Sequence, residues 1–153
     1  MSAHVVGMYA LTPLAGWLAD RVGSPRVIAV GLALLVLASL AGALAPARDV
    51  ALLSAALFVL GLGWSFGFVS ASGLLARGVA SAERARLQGA VDSAVYGSAT
   101  IGSISSGVLI ATVGYTALCL LGAALIVVPA LVLVRLGAAA SAVQPAGRAA
   151  HPA

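Results

Sequence analysis

The chain has 153 residues, 62% of them hydrophobic and only 8% charged, with a formal net charge of +4 at pH 7 and a mean hydropathy of +1.14. So little charge and so much apolar surface lie outside the range of soluble domains and predict an integral membrane protein in a lipid bilayer. The basic excess is what arginine-marked membrane topology leaves behind, and it gives no reason to expect a nucleic-acid partner.

A helix needs about 20 residues to cross a hydrocarbon core of about 30 Å. Five such stretches are predicted, at about 2–19, 27–45, 50–75, 87–112 and 116–134. The first contains His4, which is either protonatable near the outer mouth or incidental, and Pro13, which predicts a kink. It runs into a polar loop, Gly16-Trp17-Leu18-Ala19-Asp20-Arg21-Val22-Gly23-Ser24-Pro25-Arg26, that holds three of the chain's few charges. Within the second span, Val27 to Leu37 is apolar on every side, which argues against the alternating strands of an outer-membrane barrel.

Pro46-Ala47-Arg48-Asp49 breaks the chain before the third span, in which Trp64 and Ser65 fall near the middle and Gly63 and Gly67 stand four apart. Arg77 to Arg86 forms the next break. The fourth span presents Gly89, Ser93 and Gly97 at four-residue intervals, followed by Gly102 and Ser106, a small-residue pattern that lets helices approach closely. The same span holds Asp92, the lone carboxylate in any predicted span, with Tyr96 one turn deeper on the same face. After Gly114-Tyr115 the fifth span carries Cys119, read as core, and Pro129, a second expected kink. Residues 137–153, which include Arg148 and His151, are expected to form a disordered cytoplasmic tail.

Arginines in short loops stay on the cytoplasmic side. Arg21 and Arg26, then Arg77, Arg84 and Arg86, then Arg135 and Arg148 fall on one side, and only Arg48 on the other. This distribution places the amino end outside and the carboxyl end in the cytoplasm of a multi-pass inner or plasma membrane protein. No basic segment or cleavable leader precedes the first span, so the chain is expected to be a fragment.

The residues Gly16, Leu18, Ala19, Asp20, Arg21 and Gly23 resemble the loop signature G-x-L-A-D-R-x-G-R-[RK] of the major facilitator superfamily of secondary transporters. Ser24 and Pro25 replace its two final basic residues, and Arg26 comes one position late. In that family the signature lies between spans two and three and, more loosely, between spans eight and nine of twelve. Four spans follow it here, so the resemblance implies spans eight to twelve, covering about residues 1 to 136 of an all-α, polytopic helix bundle with a partial major-facilitator fold. It also implies a missing amino-terminal half, alternating access and proton coupling, with efflux of drugs or metabolites the common case among bacterial relatives.

In the loop, Gly16 and Gly23 are expected to allow tight turning and close helix approach. Asp20 is expected to pair with Arg21 or Arg26, or to accept from a helix N-terminus, as a conformational latch; the alternative is a solvated turn that only fixes topology. Asp92 is a proton site, a substrate contact, a partner for a base in the missing half, or a carboxylate placed structurally near a helix start. Trp64, Ser65 and Tyr96 are candidate cavity residues, against the alternative of packing. No phosphate loop, nucleophilic triad or metal-ligand cluster occurs, so no enzyme, cofactor or metal is expected. The competing functional reading is a truncated, transport-incompetent product or a small scaffold that packs other helices on its glycine faces. The solute is not specified by any residue.

Overall fold

In the computed structural model residues 2–46, 48–135 and 137 are described, and every regular element among them is helical. The helices are α1 (Ser2–Tyr9), α2 (Thr12–Val22), α3 (Ser24–Leu44), α4 (Val50–Gly78), α5 (Ser81–Val113) and α6 (Tyr115–Leu125). Four uninterrupted or nearly uninterrupted runs have the length and hydropathy to cross a membrane: Ser24–Leu44, Val50–Gly78, Ser81–Val113 and Tyr115–Arg135. The expected tail lies outside the described residues apart from Gly137.

The first predicted span is two helices rather than one. Proline at position i lacks an N–H and its ring crowds the carbonyl four residues earlier, so the regular ladder is expected to end there. That residue is Tyr9 for Pro13 and Leu125 for Pro129, and α1 and α6 end at these two positions. After the turn at Ile126 the fifth span resumes and reaches Arg135.

The polar breaks are shorter than the sequence suggests. Most of the loop that begins at Gly16 is the body of α2, and only Gly23 interrupts it, with φ 93°. Between α4 and α5 the break shrinks to Val79 and Ala80. Ala82, Glu83, Arg84, Ala85, Arg86 and Leu87 are strong helix formers, so the polar segment extends α5 beyond the apolar stretch.

α4 is the hub. α1, α2 and α3 lie along it, α6 packs on α3, and α5 packs mainly on α6 and α4 and buries none of its described residues. Glycine makes the closest approaches possible. A Cβ on Gly63 would stand 2.8 Å from the Gly31 carbonyl oxygen, and one on Gly31 would stand 2.8 Å from both Gly63 O and Gly67 N. α1 meets α4 in the same way, since a Cβ on Gly7 would strike Phe58 O and one on Gly61 would strike His4 O. Ala15, Ala19, Val27 and Phe66 form the small core beneath, with Leu18, Leu34, Leu62 and Val69 around it.

Three polar links run along this block. His4 Nδ1 meets Leu57 O at 3.2 Å, Thr12 Oγ1 meets Ser65 Oγ at 3.2 Å, and Arg77 donates to Ser24 Oγ at 2.5 Å, each pair separated by 53 residues. A constant offset is the mark of parallel elements in one register. The α1–α2 strand of chain therefore follows α4 as a single rod despite its break at Ala10 and Leu11.

The small-residue face expected on α5 is not a packing face among the described residues. A Cβ on Gly89 or Gly97 would meet nothing within 4 Å, and Ser93 Oγ donates to the Gly89 carbonyl of its own helix at 2.7 Å. Four-residue spacing gives a helix the capacity for close approach without supplying the neighbour.

Candidate functional site

The charged turn is built at one end of the α1–α4 block. α2 stops because Gly23 adopts a left-handed φ, its N–H capping Ala19 O at 3.1 Å, and Ser24-Pro25 then starts α3 with proline in the first turn, where its missing N–H costs no helical bond. Gly23 thus does the turning expected of it. Gly16 does not turn the chain or admit a neighbour, because it lies within α2 and a Cβ there would meet nothing within 4 Å.

Neither expected arginine pairs with Asp20. Arg21 lies 4.7 Å from the Trp17 ring centroid, one turn back on the same helix, and Arg26 Nη1 donates to the Val22 carbonyl at 3.2 Å. Asp20 Oδ1 instead faces Arg77 Nη1 at 3.6 Å, in the last turn of α4, and the other arm of Arg77 donates to the buried hydroxyl of Ser24. One guanidinium thereby ties the α2–α3 turn to the end of α4. The Asp20 and Arg77 side chains are 76% and 55% exposed, and a pair so wet is worth only about 0.2–1 kcal/mol. Such a contact is weak enough to be broken and remade.

Sequence reasoning missed Arg77 and Ser24 as members of this cluster. The signal was present in the arginine count, which puts Arg77 on the same membrane face as Asp20, but sidedness alone does not choose a partner.

Midway along α4 a cavity of about 560 Å³ opens between α1, α2, α4 and α5. It brings together three expected residues, Trp64, Ser65 and Tyr96, with Tyr9, Thr12 and Phe68, which the sequence did not single out, and His4. Trp64 and Phe68, one turn apart, stack with ring centroids 5.7 Å apart and planes within 9°. Thr12 Oγ1 also donates to Met8 O at 2.9 Å, so the geometry orients the Thr12–Ser65 link with the Ser65 hydroxyl donating to Thr12. Tyr9 and Thr12 could have been found from Pro13, since a proline-opened helix exposes polar backbone beside a cavity.

Asp92 does not line this cavity. It sits one turn away along α5, where Gln88 Nε2 donates to its Oδ1 at 2.9 Å and reaches Ser72 Oγ on α4 at 3.5 Å. Asp92 and Tyr96, expected on one face, therefore serve two neighbouring environments. Among the described residues no group of three His, Cys, Asp or Glu side chains could hold a metal ion.

The chain matches the family model described as Major Facilitator Superfamily over residues 1–152. It is 36% identical over 131 residues to the uncharacterized MFS-type transporter YdeG of Bacillus subtilis, covering 84% of this chain and 30% of that protein. It is likewise 36% identical over 122 residues to YddS of the same organism, covering 80% and 28%. A third relative, the riboflavin transporter RfnT of Brucella anthropi, is 34% identical over 112 residues, covering 73% and 28%. The chain thus spans about 30% of the length of the first of these relatives. No solved structure matches it.

Proposed function

Because the chain belongs to the Major Facilitator Superfamily, we propose that it supplies the carboxy-terminal five spans of a secondary transporter that moves a small solute by alternating access. The observation that carries this reading is the cavity at mid-length of α4, where a polar pair, Thr12 and Ser65, sits beside aromatic walls. Midplane sites between helices are where such transporters hold solute. The names of the relatives support a transporter and not an enzyme.

In this reading the amino end lies outside, the carboxyl end lies in the cytoplasm, and the Asp20–Arg77–Ser24 cluster is a cytoplasmic latch. Its low strength suits a contact that parts in each cycle. Asp92 is the proton-coupling carboxylate, with Gln88 and Ser72 bridging it to α4. Efflux is the direction proposed.

Flux tests the reading. Everted vesicles carrying the open reading frame that contains this chain are expected to accumulate solute under an imposed pH gradient, and Asp92→Asn to remove the pH dependence of that flux. Unchanged pH dependence would leave Asp92 a structural residue. The uncovered α5 face of Gly89, Ser93 and Gly97 favours a second reading, in which the chain is a transport-incompetent product or a scaffold for other helices. Absence of flux, with helices captured on that face, would select it.

A further inference from the structure

We propose that the cavity between α1, α2, α4 and α5 is a stacking site for a neutral, planar aromatic solute, an inference that rests on the transport reading and names its substrate class. The chain has two Trp, three Tyr and three Phe. Half of these eight rings, Tyr9, Trp64, Phe68 and Tyr96, line this one cavity. Trp64 and Phe68 stack on one another along α4 with parallel planes, and Tyr9 and Tyr96 stand on the flanking helices, 66% and 65% exposed. Aromatic rings favour offset-stacked and edge-on partners, so a lining with four of them favours flat π-systems over branched aliphatic ones.

No Asp, Glu, Arg or Lys lines the cavity. The part of the cavity wall that this chain supplies thus offers no counter-ion to a charged solute, which favours a neutral one. Specificity then comes from the Thr12–Ser65 hydroxyls and from His4. With Nδ1 donating to Leu57 O, the His4 Nε2 is an acceptor for a ring N–H or hydroxyl. The volume of about 560 Å³ falls in the range of small-molecule pockets and admits fused rings.

Equilibrium dialysis of lumichrome, a neutral planar tricycle, against the chain in lipid nanodiscs tests the proposal. Saturable binding is expected, weakened about tenfold by Trp64→Leu and by Tyr96→Leu, largely kept in Trp64→Phe, and unchanged in Tyr115→Leu outside the cavity. Tyr96 is so exposed that its replacement leaves the fold intact, which keeps the test sound if Trp64→Leu does not fold. Absence of saturation, indifference to both Leu variants, or equal displacement by 1-dodecanol or 2-naphthalenesulfonate would overturn the proposal. Vesicle flux separates the two readings. Carriage of a charged or aliphatic solute without lumichrome binding overturns the substrate class alone, and lumichrome binding with the expected variants but no flux of any solute overturns transport alone.

Discussion

Gly63→Ala tests whether glycine contact between α3 and α4 holds the block together. The added Cβ would stand 2.8 Å from Gly31 O and 3.0 Å from the Leu35 backbone nitrogen, where ordinary contact begins at 3.4 Å. The obstacle is backbone, so relief requires α3 and α4 to part by roughly 0.6 Å, a form of overpacking that costs about 1–3 kcal/mol. Gly67→Ala is the matched control, one turn away on the same helix with nothing within 4 Å of its Cβ, and it is expected to be neutral or to stabilise by up to about 1 kcal/mol through helix propensity. Unfolding in mixed dodecylmaltoside–SDS micelles, followed by tryptophan fluorescence, reads both. Gly31→Ala should match Gly63→Ala, and the double variant should cost less than the two single effects combined, because one separation relieves both clashes. Equal stability of the Gly63 and Gly67 variants would refute the argument.

Asp20→Ala should change stability by no more than about 1 kcal/mol, since the ion pair is exposed, and Arg77→Ala should cost about 1–3 kcal/mol because the buried Ser24 hydroxyl also loses its charged donor, yet both should slow transport cycling; unaltered rates would reduce the cluster to a topological turn. Thr12→Val should destabilise by about 1–3 kcal/mol because the buried Ser65 hydroxyl loses its acceptor, whereas Ser65→Ala leaves Thr12 bonded to Met8 O and should cost under about 1 kcal/mol. Reversal of that order in the same micelle titration would show the link oriented the other way. With Cys119 replaced by Ser, a cysteine placed at Ala45 should label with membrane-impermeant maleimide from outside intact cells and one at Ser81 only after permeabilisation.

Helical class and membrane setting were legible because composition and hydropathy report them residue by residue. The family was legible in Gly16 to Gly23, where a local pattern survives without knowledge of any partner. Boundaries were harder, because polarity was read as loop while Glu83, Arg84 and Arg86 are polar and helical at once. The Asp20 partner was not legible, because Arg77 is far away in sequence and only the register of α2 against α4 brings it near. Gly63 and Gly97 carry the same spacing signal, yet one abuts a backbone and the other open space. Spacing describes one helix, and a contact requires two.

The parallel links at a constant offset have a mechanical consequence. One residue of sliding moves a helix by about 1.5 Å, beyond the tolerance of a hydrogen bond, so α1–α2 cannot telescope along α4 without shearing the links at His4 and Thr12 together. The block can tilt as a unit but has no piston stroke. Its compliance is left to the two-residue joint at Val79 and Ala80 and to the thinly held α5, so a spin-label distance from α4 to α5 should vary through the cycle while one from α1 to α4 stays constant.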